Sequence, residues 1–117
     1  MEKRKPFDLE ERTLHYSKDI IWLLNNVPKS LSNIEIAKQL IRSAGSVGAN
    51  YIEANDNLGK KDFANRIRIC RKEAKESRYW FKLIASANLD FEKETSGLIQ
   101  EATELMNIFG AILKKTI

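Results

Sequence analysis

Apolar residues recur along the first quarter of the chain at Leu9, Tyr16, Ile20, Leu23 and Val27, with Thr13 in register, in alternating steps of four and three. Ile21 and Leu24 widen the stripe, and the period is that of a bundle helix over about 8–27. Pro28 stops it, because proline lacks an amide hydrogen and disfavours helix in the residue before it. Ser32 followed by Glu35 has the spacing of a capping box, which predicts a second helix from near Asn33 to about Asn57. Its seam is Ala37, Leu40, Ala44, Val47 and Tyr51, with Ile41, Gly48 and Ile52 beside it. The turn "DNLG" offers Gly59 as a left-handed C-terminal cap. A third helix over about 60–87 carries Phe63, Ile67, Cys70, Ala74, Ser77, Phe81 and Ile84 on one seam. A fourth, over about 92–116, carries Leu98, Ala102, Leu105, Phe109 and Ile112, flanked by Ile99, Met106 and Leu113. Long helices joined by short loops run antiparallel to their neighbours, so the expected fold is an all-α, up-down-up-down four-helix bundle, a single domain over 1–117.

The stretch "IRSAGSVGAN", Ile41 to Asn50, interrupts this pattern with small residues. A phosphate-binding loop needs a preceding strand and a following Gly-Lys-Ser/Thr, and neither is present. In mid-helix each glycine costs about 1 kcal/mol relative to alanine, so close approach of another backbone at Ala44, Gly45, Gly48 and Ala49 is the natural compensation. Gln39, Ser43, Ser46, Asn50, Glu53 and Asn57 form a polar stripe beside the seam. A solvated face would explain it, but solvated faces usually carry long charged side chains. Short ones suit a groove that admits another chain.

Charge changes the picture at one place. The formal net charge is +4, yet Lys60 to Lys82 holds nine basic residues against three acidic ones, a local +6 that leaves −2 elsewhere. Arg68, Arg71, Lys75, Arg78 and Lys82 each follow a core position by one residue and therefore share a helix face, with Lys72 alongside. Such a face could neutralise phosphates of RNA or another polyanion; its plainer reading is a solvated surface. Tyr79, Trp80 and Phe81 interleave with these cations, as in base-stacking surfaces. Phe81 is on the seam, however, and Trp80, Leu83 and Ala87 widen the apolar face beyond what one bundle needs, which favours a subunit interface.

Other chemistry is sparse. His15, the one histidine, has Arg12 where a Glu-x-x-His metal motif needs glutamate, and Glu11 and Asp19 give it surface ion-pair spacing. Cys70 lies on a seam, as a buried structural thiol would. No catalytic constellation, metal site or cofactor is expected. The longest apolar run, Ile20 to Leu24, is far short of the roughly 20 residues that span a bilayer, and "MEKRKPFDLEER" does not read as a signal peptide. With a lone cysteine, these features fit a cytoplasmic protein without a membrane role.

"QLIRSAGSVGANYIEAN" and "KEAKESRYWFKLI" resemble the second- and third-helix signatures of the four-helix-bundle family of 23S rRNA intervening-sequence proteins, also described as ribosomal-protein-like bundle proteins. The matching positions are Gln39, Arg42, Ser43, Ser46, Asn50 and Glu53, then Glu73, Ala74, Glu76, Ser77, Tyr79 and Trp80. Ala54-Asn55 departs from the Glu-Gly of many members, and Gly45 and Gly48 are smaller than expected. The resemblance implies a homo-oligomer, a pentameric ring in relatives, with a surface associated with RNA and no established reaction. Members are encoded within intervening sequences of large-subunit rRNA genes, and related retroelement accessory proteins bind nucleic acid and a reverse transcriptase. The expected function is thus non-enzymatic RNA binding through Arg68, Arg71, Lys72, Lys75, Arg78 and Lys82. The alternative is a protein-interaction scaffold without a nucleic-acid role. Ser43, Ser46, Gly48, Asn50, Glu53, Tyr79, Trp80 and Leu83 are the residues expected to meet a partner or a neighbouring subunit.

Overall fold

The computed structural model describes residues 8–56 and 59–117. They form α1 (Leu9–Asn26), α2 (Leu31–Asn55), α3 (Lys60–Ala87) and α4 (Glu92–Thr116), with a single 3-10 turn, Leu89–Phe91, before α4. Asp8 caps α1 by accepting a hydrogen bond from the Glu11 amide at 3.1 Å, and Glu10 and Glu11 add favourable charge to its first turn. The backbone becomes extended at Val27, as Pro28 requires.

Helix α2 corrects the sequence reading of its start. Ser30, in extended conformation, is the cap, and its hydroxyl accepts from the Asn33 amide at 3.1 Å. Ser32 lies inside the first turn, where its backbone is already helical, so the Ser32–Glu35 capping box does not form. Local spacing alone could not separate two serines two residues apart. At the other end Asp56 follows α2 as its C-cap; Asn57 lies outside the described residues. Gly59 does adopt a positive φ of 112°, but it stands at the N-cap of α3 rather than closing α2.

Contacts between helices fix their directions. Ser17 and Thr13 of α1 meet Ala44 and Gly48 of α2, so the chain order reverses. Cys70 donates its thiol hydrogen to the Val47 carbonyl, and Arg66 reaches Asn50, so α3 reverses again. Arg71 lies over Gly110 and Arg78 reaches Thr103, which turns α4 back. Helix α4 then borders α1, completing a ring of four antiparallel neighbours with α1 diagonal to α3.

The seams meet in one core. Tyr16, Ile20, Leu23, Leu40, Val47, Ile67, Phe81, Ile84, Leu105 and Phe109 are fully buried. Burial of such side chains, each worth roughly 1.5–3 kcal/mol, is the main drive for assembly. Two polar contacts sit within it. Tyr16 and Ser77 share a 2.5 Å hydrogen bond across the core, and the Tyr16 ring meets Phe81 edge-on. Burial drives the Tyr16 phenol well above its ordinary range, so it remains a neutral hydrogen-bonding group. At the end where the α1–α2 and α3–α4 loops meet, Asn33 and Asn88 exchange side-chain amide hydrogen bonds at 2.7 and 2.8 Å. Asn33 also donates to the Pro28 carbonyl and Asn88 to that of Ile84.

Helix α1 leans on α2 more than on α4. Its tie to α4 is Arg12, whose guanidinium takes both carboxylate oxygens of Glu101 at 2.8 Å and reaches Glu104 at 2.9 Å. These contacts hold the Arg12 pKa above its usual range, and hydrogen bonds from Gln100 and Arg12 lower that of Glu104. No helix among the described residues is long and apolar enough to cross a membrane.

The two glycines of "SAGSVG" occupy different environments. A Cβ at Gly48 would stand 3.3 Å from the Thr13 hydroxyl and 3.5 Å from Thr13 Cβ, whereas at Gly45 nothing lies within 4 Å. Gly48→Leu should therefore force α1 and α2 apart and destabilise the protein by about 1–3 kcal/mol. Gly45→Ala, relieved of glycine's backbone entropy, should be neutral or stabilising by about 0.5–1 kcal/mol. Urea denaturation of the two variants measures the contrast.

Candidate nucleic-acid interface

Packed between α2 and α4, α3 has no inward position for a charge that lacks a partner, because an uncompensated buried ion costs several kcal/mol. Its charges accordingly sort onto its two flanks and its outer face. On the α2 flank lie Arg66, Glu73 and Glu76. Arg66 donates to the Asn50 side chain at 3.0 Å, and Asn50 is held in turn by the carbonyl and hydroxyl of Ser46. Arg42 of α2 bridges Glu73, at 3.5 Å, and Glu76. Two of the three acids in the basic segment are thereby neutralised from α2.

The six sequence-predicted cations do not share one environment. Arg71 and Arg78 bend toward α4, with the Arg71 guanidinium over Gly110 and Arg78 within 3.3 Å of the Thr103 hydroxyl. Arg68 is exposed and bonded to Asn65 at 2.9 Å. Lys72, Lys75 and Lys82 are exposed on the outer face, and no ion pair among the described residues engages them. With Glu76, Arg78 and Tyr79 they line an open hollow of about 440 Å³.

The residues expected at a partner interface also separate. Ser43 is fully buried, and its hydroxyl donates to the Gln39 carbonyl of its own helix. Gly48 packs on Thr13 within the protomer. Ser46 and Asn50 are half-buried in the α2–α3 network, while Glu53 is exposed. Trp80 is half-buried against the core, and Leu83 is partly exposed beside it. Tyr79 points elsewhere: it is 57% exposed and lines the cationic hollow, its ring 5.1 Å from that of Trp80 at 74°.

A second surface escaped the sequence reading. Leu14 and Ile21 on α1 and Ile34, Ile41 and Ile52 on α2 are each about half exposed, and the contacts of Ser17 with Ala44 and Glu10 with Asn55 bring these two helix edges together. Ile21, Ile41 and Ile52 adjoin the seams closely enough to pass for core. Only the crossing of α1 over α2 decides that they remain outside.

His15 lies 3.8 Å from Asp19 on the exposed side of α1. Burial pushes the Cys70 thiol up to about 12, which favours the neutral thiol over the thiolate. The described residues contain no group of three or more His, Cys, Asp or Glu side chains placed to hold a metal.

The model of the family described as 23S rRNA-intervening sequence protein matches residues 6–111. No curated protein matches the chain. A crystal structure of a protein from Bacteroides thetaiotaomicron, assigned to the S23 ribosomal protein family and of unknown function, is 26% identical and superposes with a TM-score of 0.79. The likeness covers 91% of this chain and 98% of that one.

The charge network has a mechanical consequence. Glu73 is buried, with one carboxylate oxygen lacking a hydrogen-bond partner and the other facing Arg42. Arg42→Ala should lower stability by about 1–3 kcal/mol, because the carboxylate loses the cation it faces while remaining desolvated. Adding Glu73→Gln to that variant should recover part of the loss in chemical denaturation.

Proposed function

Given that the chain belongs to the 23S rRNA-intervening sequence protein family, we propose that it is a non-enzymatic, cytoplasmic, homo-oligomeric bundle that binds RNA or another nucleic acid through the outer face of α3. The observation that carries the reading is the sorting of charge on that helix. Arg42 draws Glu73 and Glu76 to the α2 flank, and Lys72, Lys75 and Lys82 are left outward with Arg68. A row of exposed cations whose acidic neighbours are already paired attracts phosphates more strongly than an alternating surface of equal composition. Arg71 and Arg78 flank the row from the α4 side and extend it. The family description supports an RNA linked to intervening sequences of 23S rRNA as the ligand.

Self-association accompanies this reading. Leu14, Ile21, Ile34, Ile41 and Ile52 lie half exposed on the two helix edges that meet, and apolar surface gathered in this way marks protein contacts. This strip lies on the α1–α2 side, away from the lysines, so a second copy could cover it without masking the cations. A ring of five is the assembly that the family resemblance implies, and repetition of the α3 face around it would raise apparent affinity for a long polyanion. The same strip favours the second reading, a scaffold that holds a different protein with no nucleic-acid role.

Reversal of two outward charges, Lys75→Glu with Lys82→Glu, separates the readings. Anisotropy titrations of labelled RNA across salt concentrations should show weakened binding and a salt slope shallower by about two phosphate contacts. Unchanged RNA affinity would remove the α3 face from consideration. Absence of any binding at low salt would leave the scaffold reading. Ile41→Glu, in the strip, should lower the mass measured by sedimentation equilibrium while the helical circular dichroism is retained; an unchanged mass excludes the strip as the subunit contact.

A further inference from the structure

We propose that the hollow around Tyr79 receives one unpaired nucleobase, which makes single-stranded nucleic acid the preferred ligand of the α3 face. The inference rests on the reading of that face as a nucleic-acid surface and goes further by assigning the ligand's form. Tyr79 belongs to an aromatic triplet whose other members have structural places: Phe81 is fully buried, and Trp80 packs against the core. Tyr79 is the member the bundle does not enclose. More than half its surface is open, and its edge contact with Trp80 narrows the ring's freedom before any ligand arrives. A ring already restricted loses less freedom on stacking.

The surrounding charges match a nucleotide rather than an apolar group. Lys75 precedes Tyr79 by one helical turn and Lys82 follows it by almost one, which places them about 6 and 4.5 Å away along the axis. Lys72 stands a further turn back on the same hollow. A base on the phenol ring therefore has the phosphates on either side of it within reach of a lysine. Glu76 also lines the hollow, but its carboxylate is paired with Arg42, so it opposes a phosphate less than a free acid would. An RNA duplex cannot use this arrangement. Its bases are stacked on one another, the A-form major groove is too deep and narrow for a side chain to read, and a convex helix offers the duplex only its cations. Stacking on an aromatic ring is indifferent to base identity, so the site selects strandedness and not sequence.

The test is a set of anisotropy titrations at low and moderate salt. The probes are a short unstructured RNA strand, the same strand in a duplex, and the same strand carrying abasic positions. Tyr79→Ala, Tyr79→Phe and the Lys75→Glu, Lys82→Glu double variant are compared with the native protein. Tyr79 is exposed, so its variants should keep the native circular dichroism. The expected result is tighter binding of the single strand than of the duplex or the abasic strand. Tyr79→Ala should weaken the single strand about 5-fold or more, the effect of one stacked base, and leave the duplex unchanged. Tyr79→Phe should retain native affinity, which distinguishes stacking from a hydrogen bond by the phenol. If the lysine double variant weakens binding but Tyr79→Ala does not, or if the abasic strand binds equally well, the α3 face reads phosphates alone and the base site is overturned while nucleic-acid binding stands. If no probe binds at low salt, both fall together.

Discussion

Helix α3 is enclosed by α2 on one side and α4 on the other, and the cost of desolvating charge governs everything it displays. Nine cations fall within the segment from Lys60 to Lys82, and none can be placed inward without a partner. The apolar seam from Ile67 to Ile84 fixes the rotation of the helix, and that rotation sends each charge to a flank or to water. Arg66 and Glu73 meet α2, Arg71 and Arg78 meet α4, and the lysines remain outside. The electrostatic character of the outer face is thus a by-product of core packing. A shift of α3 by one residue in register would turn the lysines and the seam together.

Much of this was legible from periodicity. Three of the four seams are buried almost residue for residue, because alternating steps of three and four leave little choice about which side faces inward. Helix ends were harder: Ser30 and Ser32 both have capping chemistry, and only backbone conformation distinguishes them. Glycine was ambiguous for a related reason. Gly48 meets Thr13 and Gly45 meets nothing, yet in the sequence they are three residues apart with similar neighbours. Contact across helices decides such cases, and a single sequence does not contain it.

The candidate surface divides in the same way. The face shared by Arg68, Arg71, Lys75, Arg78 and Lys82 follows from spacing, but its division into two arginines leaning on α4 and an outward Arg68, Lys75 and Lys82 depends on Gly110 and Thr103 of a distant segment. Tyr79 was read with Trp80 because the two are adjacent. On a helix adjacent residues diverge by about 100°, and that angle carries Tyr79 into the lysine hollow and leaves Trp80 on the core. The aliphatic strip of α1 and α2 shows the opposite error, since Ile21 and Ile41 lie near enough to the seams to look internal.

The paired amides of Asn33 and Asn88 give the bundle two ends of unlike temperament. Neither side chain titrates, and neutral dipoles are little affected by the ionic atmosphere that screens surface charges. The clasp between two residues 55 apart in the chain therefore holds under acid or brine that would slacken Arg12 and Arg42. Changes of ionic strength reach this molecule unevenly: the lysine face and the α1–α4 edge respond, while the loop end stays put as a fixed anchor.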